Sequence, residues 1–78
     1  MARDVIGMES VSRNPDILGG TPVFSGTRVP VRILFEHLEA GDTLAKFLDD
    51  FPSVTEQQAI DVLEYASRQI TDYGEIAT

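Results

Sequence analysis

Few residues in this 78-residue chain have the type and spacing to do chemistry. His37 is the one histidine, the side-chain type most used for proton transfer at neutral pH. Glu36 precedes it, and Glu39 and Asp42 are close in sequence, so proton transfer is the chemistry to test first. Neighbours at i and i−1 do not face each other on a helix, and catalysis needs convergent geometry. A solvated surface histidine is therefore the expectation. Asp49-Asp50 could ligate a metal, but adjacent helical residues point about 100° apart, which suits a solvated face instead. No cysteine is present, which excludes disulfides and thiolate zinc sites, and a single histidine argues against a His-based one. Gly19-Gly20 and Gly26 suggest a phosphate loop, yet no Walker lysine or dinucleotide spacing accompanies them. They read as turn glycines. No serine, threonine or lysine stands in a nucleophile motif. Catalytic residues, metal and cofactor are all expected to be absent, and the chain is not expected to be an enzyme.

Binding is the remaining chemistry, and charge sets its terms. The chain carries −7 at pH 7. Residues 1–35 hold four arginines against three acids, a net of +1, whereas residues 36–78 hold Lys46 and Arg68 against ten acids, a net of −8. Simple attraction to a polyanion is thus opposed, and a basic protein partner suits the C-terminal half better. Nucleic-acid contact would have to come from Arg28 and Arg32, with Lys46, Gln57 and Gln58 as further candidates. The two arginines could equally pair with acids such as Asp16 or Glu36.

Those residues are positioned by an N-terminal arm and three helices. The segment Gly19 to Val31, GGTPVFSGTRVPV, organises the chain. Asn14-Pro15-Asp16 is a turn signal. Residues 9–12 and 21–24 read as short strands of a hairpin, which is marginal alone and needs something to pack on. Val11, Val23 and Phe24 are therefore expected at a dimer interface, although packing onto the chain's own helices is the alternative. Pro30 allows a helix to start immediately after it.

Val31, Leu34, Phe35 and Leu38 form one stripe, ended by Gly41 in a left-handed cap. Asp42 or Thr43 caps a second helix with the stripe Leu44, Phe47, Leu48 and Phe51, stopped by Pro52. Thr55 and Gln58 have capping-box spacing for a third helix, whose inward face is Ala59, Val62, Leu63, Ala66 and Ile70. Tyr73-Gly74 should begin a polar tail, and residues 1 to 8 a frayed lead-in. The expectation is one mostly α domain: a β arm over 1–30 and a three-helix, homeodomain-like helix-turn-helix unit over 31–72. No apolar run is long enough to cross a membrane and no signal pattern opens the chain, so a cytoplasmic location is expected.

The residues Asn14-Pro15, Ile17, Gly19-Gly20, Pro22-Val23, Gly26 to Val31, Gly41 and Asp50-Phe51-Pro52 carry a pattern, GG.PV..GTRVPV at its centre. In order and spacing it resembles the family catalogued as domain of unknown function 433, over roughly residues 10 to 68. The resemblance implies a VapB-type antitoxin of a type II toxin–antitoxin pair. Such a protein would dimerise, silence a PIN-like ribonuclease toxin and repress its own promoter through a helix-turn-helix. The rival expectation is a protein-interaction module that never touches DNA.

Overall fold

The computed structural model describes residues 8–77. The expected frayed lead-in, Met8 aside, lies outside that range. Five elements follow in order: β1 (Val11–Ser12), β2 (Val23–Phe24), α1 (Val31–Glu39), α2 (Leu44–Asp50) and α3 (Glu56–Ala77). The chain is mostly helical, with the hairpin at its start.

The two strands pair antiparallel, Val11 opposite Phe24 and Ser12 opposite Val23. β2 also has a partner on its other side. Phe24 N–H donates to the Val29 carbonyl and Val31 N–H to the Pro22 carbonyl, both at 3.0 Å. This second return is made by Gly26 at φ +79° and by Thr27. The Thr27 hydroxyl donates to the Phe24 carbonyl at 2.8 Å and accepts Val29 N–H at 3.0 Å. The Gly-Thr-Arg-Val-Pro block is therefore an elbow that satisfies its own backbone and delivers Pro30 to the start of α1.

The loop between the strands is held equally tightly. Asp16 N–H donates to Asn14 Oδ1 and Ile17 N–H to the Asn14 carbonyl, both at 2.8 Å. The Arg13 Nε–H donates to the Gly20 carbonyl at 2.7 Å. Between those ties Leu18, Gly19 and Gly20 stand at φ +51°, +65° and +92°. A left-handed leucine costs roughly 1–2 kcal/mol, and Leu18 is 54% exposed, so burial returns little of it. Asn tolerates that backbone better. Leu18→Asn should therefore raise the unfolding free energy by about 0.5–1 kcal/mol. A lower urea midpoint in the variant would show that the leucine contributes packing instead.

The helix ends follow their local signals. Gly41 sits at φ +94°, its N–H donating to Leu38 and that of Asp42 to His37. That pair of bonds is a Schellman motif closing α1. Thr43 caps α2, its hydroxyl accepting Lys46 N–H at 3.0 Å. Thr55 and Gln58 form the reciprocal capping box of α3 at 3.0 and 3.1 Å. α3 does not stop at Tyr73-Gly74 but runs to Ala77. A glycine inside a helix costs only about 1 kcal/mol, and no proline follows to end it.

The core is one cluster of Val11, Phe24, Leu34, Phe47, Val54, Ala59 and Val62. Phe24 and Phe47 meet at 5.9 Å between ring centroids. This overturns the expected placing of Val11, Val23 and Phe24 at a dimer interface. Their exposures are 4%, 0% and 0% within a single chain, so the arm packs on its own helices. The reason is that two-residue strands bury too little alone, and the nearest apolar stripes belong to the same chain. Ile70 is a second correction, because it lies 71% exposed beyond the last buried turn of α3.

Candidate interaction site

The polar candidates come first, and most are engaged within the chain. Gln58 reaches back with both ends of its amide. Its Oε1 accepts Thr55 N–H at 3.0 Å and its Nε2 donates to the Ser25 carbonyl at 2.9 Å. It is a strut between α3 and the elbow, which corrects its expected role at a base edge. Gln57 Nε2 donates to Asp61 Oδ1 at 2.8 Å, and Ser10 donates to the other Asp61 oxygen at 2.7 Å. Lys46 Nζ lies 3.0 Å from Asp50 Oδ1, one turn along α2. Arg32 is exposed, with Nη1 3.9 Å from Glu36, a contact that contributes little in water. Arg28 is exposed on the elbow and makes no ion pair among the described residues. The five candidates make no hydrogen bond to one another among the described residues.

His37 differs from its expected solvated state. It is half-buried, with Nε2 3.2 Å from Asp50 Oδ2 and Nδ1 3.2 Å from the Ile33 carbonyl. Its ring stands edge-on to Phe47 and Phe51 at 5.5 and 5.6 Å. A histidine–aspartate pair invites a catalytic reading, but both ring nitrogens already face acceptors. None is left to present to a substrate, and the group serves as a clip between α1 and α2.

Two carboxyls are held below their ordinary range. Asp50 is lowered by its hydrogen bond with Lys46 first and with His37 second. Asp61 is lowered by the Ser10 hydroxyl first and the Gln57 amide second. A carboxyl with a depressed folded value stabilises the fold above its unfolded value, and that contribution disappears as pH falls through the folded one. Thermal stability should therefore hold at mild acidity and decline below about pH 4. Asp61→Asn should flatten that decline, as read by melting curves at successive pH values. An unchanged acid slope would mean that Asp61 does not titrate with unfolding.

The apolar candidate is a groove between α1 and α3. Val31 and Phe35 form one wall, and Val62, Tyr65, Ala66 and Ile70 the other, with Met8 at one margin and a volume of about 350 Å³. A recess of about 290 Å³, lined by Thr21, Pro22, Val31, Arg32 and Phe35, adjoins it through the shared Val31 and Phe35. Another recess, lined by Met8, Asp61, Glu64, Tyr65 and Arg68, shares Met8 and Tyr65 with the groove. Two acids and one base thus border it there. Phe35 lies on the stripe that also buries Leu34, one residue further round the helix. Its partial exposure could not be told from the stripe alone. Ile70 gave no such signal either, since it continues the apolar stripe one turn past Ala66, and only the structure shows that cover ends there.

These features define a small helical domain whose N-terminal hairpin is built into the core and whose open face lies between its first and third helices. The chain belongs to the family described as Protein of unknown function (DUF433), whose model matches residues 11–66. Over 46 residues it is 48% identical to the Uncharacterized protein y4eO of Sinorhizobium fredii, a match covering 59% of this chain and 21% of that protein. The match thus spans about a fifth of that relative's length. No solved structure matches the chain. Among the described residues no helix is long and apolar enough to cross a membrane.

Proposed function

We propose that the chain is an antitoxin-like regulator that works in the cytoplasm by holding a protein partner. The class of partner its family resemblance implies is a PIN-like ribonuclease toxin. One observation carries this reading: an open apolar groove between α1 and α3 of a chain with a net charge of −7. A ribonuclease needs a basic path for RNA, and an acidic apolar-faced domain is the complementary shape to cover it.

The second reading is promoter binding. The succession α1, a short glycine turn and α2, with α3 behind, favours it as a helix-turn-helix layout. The charges do not. α2 is seven residues long, exposes Asp49 and Asp50, and has its one lysine paired to Asp50. Val11, Val23 and Phe24 are buried and have no surface to offer a dimer on two half-sites.

Co-expression of the chain with the product of its neighbouring gene, followed by affinity purification, tests the proposal. A stoichiometric complex that loses the partner's nuclease activity is the expected result. No complex, together with a mobility shift on the chain's own promoter whose salt slope falls in Arg28→Ala and Arg32→Ala, would favour the DNA reading.

A further inference from the structure

Some acids of the helical half are held by partners within the chain, and others are not. Asp50 is tied to Lys46 and His37, and Asp61 to Ser10 and Gln57. Asp49 and Glu56 are exposed and make no ion pair or side-chain hydrogen bond among the described residues. These two border one open recess of about 500 Å³ between α2 and the start of α3, whose remaining lining is Leu44, Ala45 and Leu48. Leu44, Leu48, Ala45 and Asp49 span about 140° of α2, one continuous face. Lys46 stands about 160° round the helix from Leu48, and its ammonium lies 3.0 Å from Asp50 Oδ1. Among the described residues no lysine, arginine or histidine lines the recess, so its charge is of one sign. The groove between α1 and α3 differs, because Arg32 and Arg68 border it as well as Asp61 and Glu64.

An apolar floor under two carboxylates from different helices restricts the occupant. A wholly apolar group would take water from Asp49 and Glu56 and give them no partner. An anion is repelled, and a small hydrated cation gains nothing from Leu44 and Leu48. An arginine side chain meets every requirement. Its stem lies along apolar surface while its head stays with polar groups. Its planar guanidinium is weakly hydrated and has donors on two edges, one for a carboxylate of α2 and one for a carboxylate of α3. A lysine ammonium is a compact point charge that keeps its water more strongly. We infer that the recess between α2 and α3 takes an arginine side chain of the protein partner, its stem over Leu44, Ala45 and Leu48 and its guanidinium between Asp49 and Glu56. A second copy of this chain is the poorer source, because it brings another −7 and like charges oppose the approach. The inference rests on the protein-binding reading and assigns one contact of that partner, with its chemistry.

The probe is N-acetyl-arginine amide, titrated into the isotope-labelled full chain at low ionic strength, with backbone amide shifts read residue by residue. N-acetyl-lysine amide is one control, and N-acetyl-citrulline amide, which keeps the shape of arginine and loses its charge, is the other. The arginine probe should give saturable shifts centred on Leu44, Ala45, Leu48, Asp49 and Glu56, with both controls weaker. The paired variant Asp49→Asn and Glu56→Gln should weaken it about tenfold or more, the loss expected when hydrogen bonds to charged groups are removed. Ala45→Gln covers the floor, keeps both carboxylates, and should weaken it too. All three positions are exposed, so circular dichroism should show an unchanged fold. Equal binding of citrulline or lysine would overturn the inference, as would shifts spread over every acid of the surface. So would indifference to the paired variant or to Ala45→Gln, or light scattering that shows a dimer which the paired variant splits. The neighbouring-gene product separates this from the wider reading. If it co-purifies equally with the wild-type chain and the paired variant, the recess assignment fails while the protein-binding function stands. If the wild-type chain holds no such product, the wider reading fails, and the partner's arginine with it, even where the probe binds.

Discussion

Phe24→Ala should remove most of the stability of the domain and lower its Tm by roughly 15–30 °C. Phe24 is fully buried, pairs with Phe47, and sits in the same cluster as Val11, Leu34 and Val62. Phe-to-Ala changes in cores cost about 3–5 kcal/mol, the transfer loss and the cavity acting together. A chain of this size has only about 4–12 kcal/mol in total. The loss is large because Phe24 joins the arm to all three helices, so no single element can collapse into the space. Calorimetry and light scattering on one sample separate this from an interface role. A variant that melts at the wild-type temperature but has half the mass would return the ring to a subunit contact.

Gln58→Ala is the second large effect, expected to cost about 2–3 kcal/mol. The substitution leaves the part-buried Ser25 carbonyl without its donor and Thr55 N–H without its acceptor. It also leaves the backbone bond from Gln58 N–H to Thr55 Oγ1 untouched, so the helix start survives while its tie to the elbow does not. Gln58→Glu is the informative control, since it keeps the acceptor for Thr55 and loses only the donor to Ser25. Its expected cost is about half as large. If Gln58→Ala melts like the wild type, the amide is free for an external partner and the strut assignment is wrong.

Gln58 and His37 show what kind of information the chain carries locally. Thr55 and Gln58 are three residues apart, and that spacing alone announced the capping box. The other end of the same amide meets a carbonyl 33 residues earlier, which no local pattern encodes. His37 is similar. Its i−1 neighbour Glu36 drew attention, but its working partner is Asp50, 13 residues on and in another helix. Ser10 and Asp61 are joined across 51 residues and gave no signal at all.

By itself the sequence determined the turns, the caps, the three helix starts and the membership in the DUF433 family, because each depends on a few adjacent residues with fixed backbone preferences. Only the tertiary structure decided which apolar residues are covered. It put Val11, Val23 and Phe24 inside one chain and left Ile70 and the Phe35 wall open. A helical or strand period marks a face as apolar, but what lies against that face depends on distant segments competing for it. Here the hairpin arm won that competition over the upper turns of α3, and it does not reach the turn that carries Ile70.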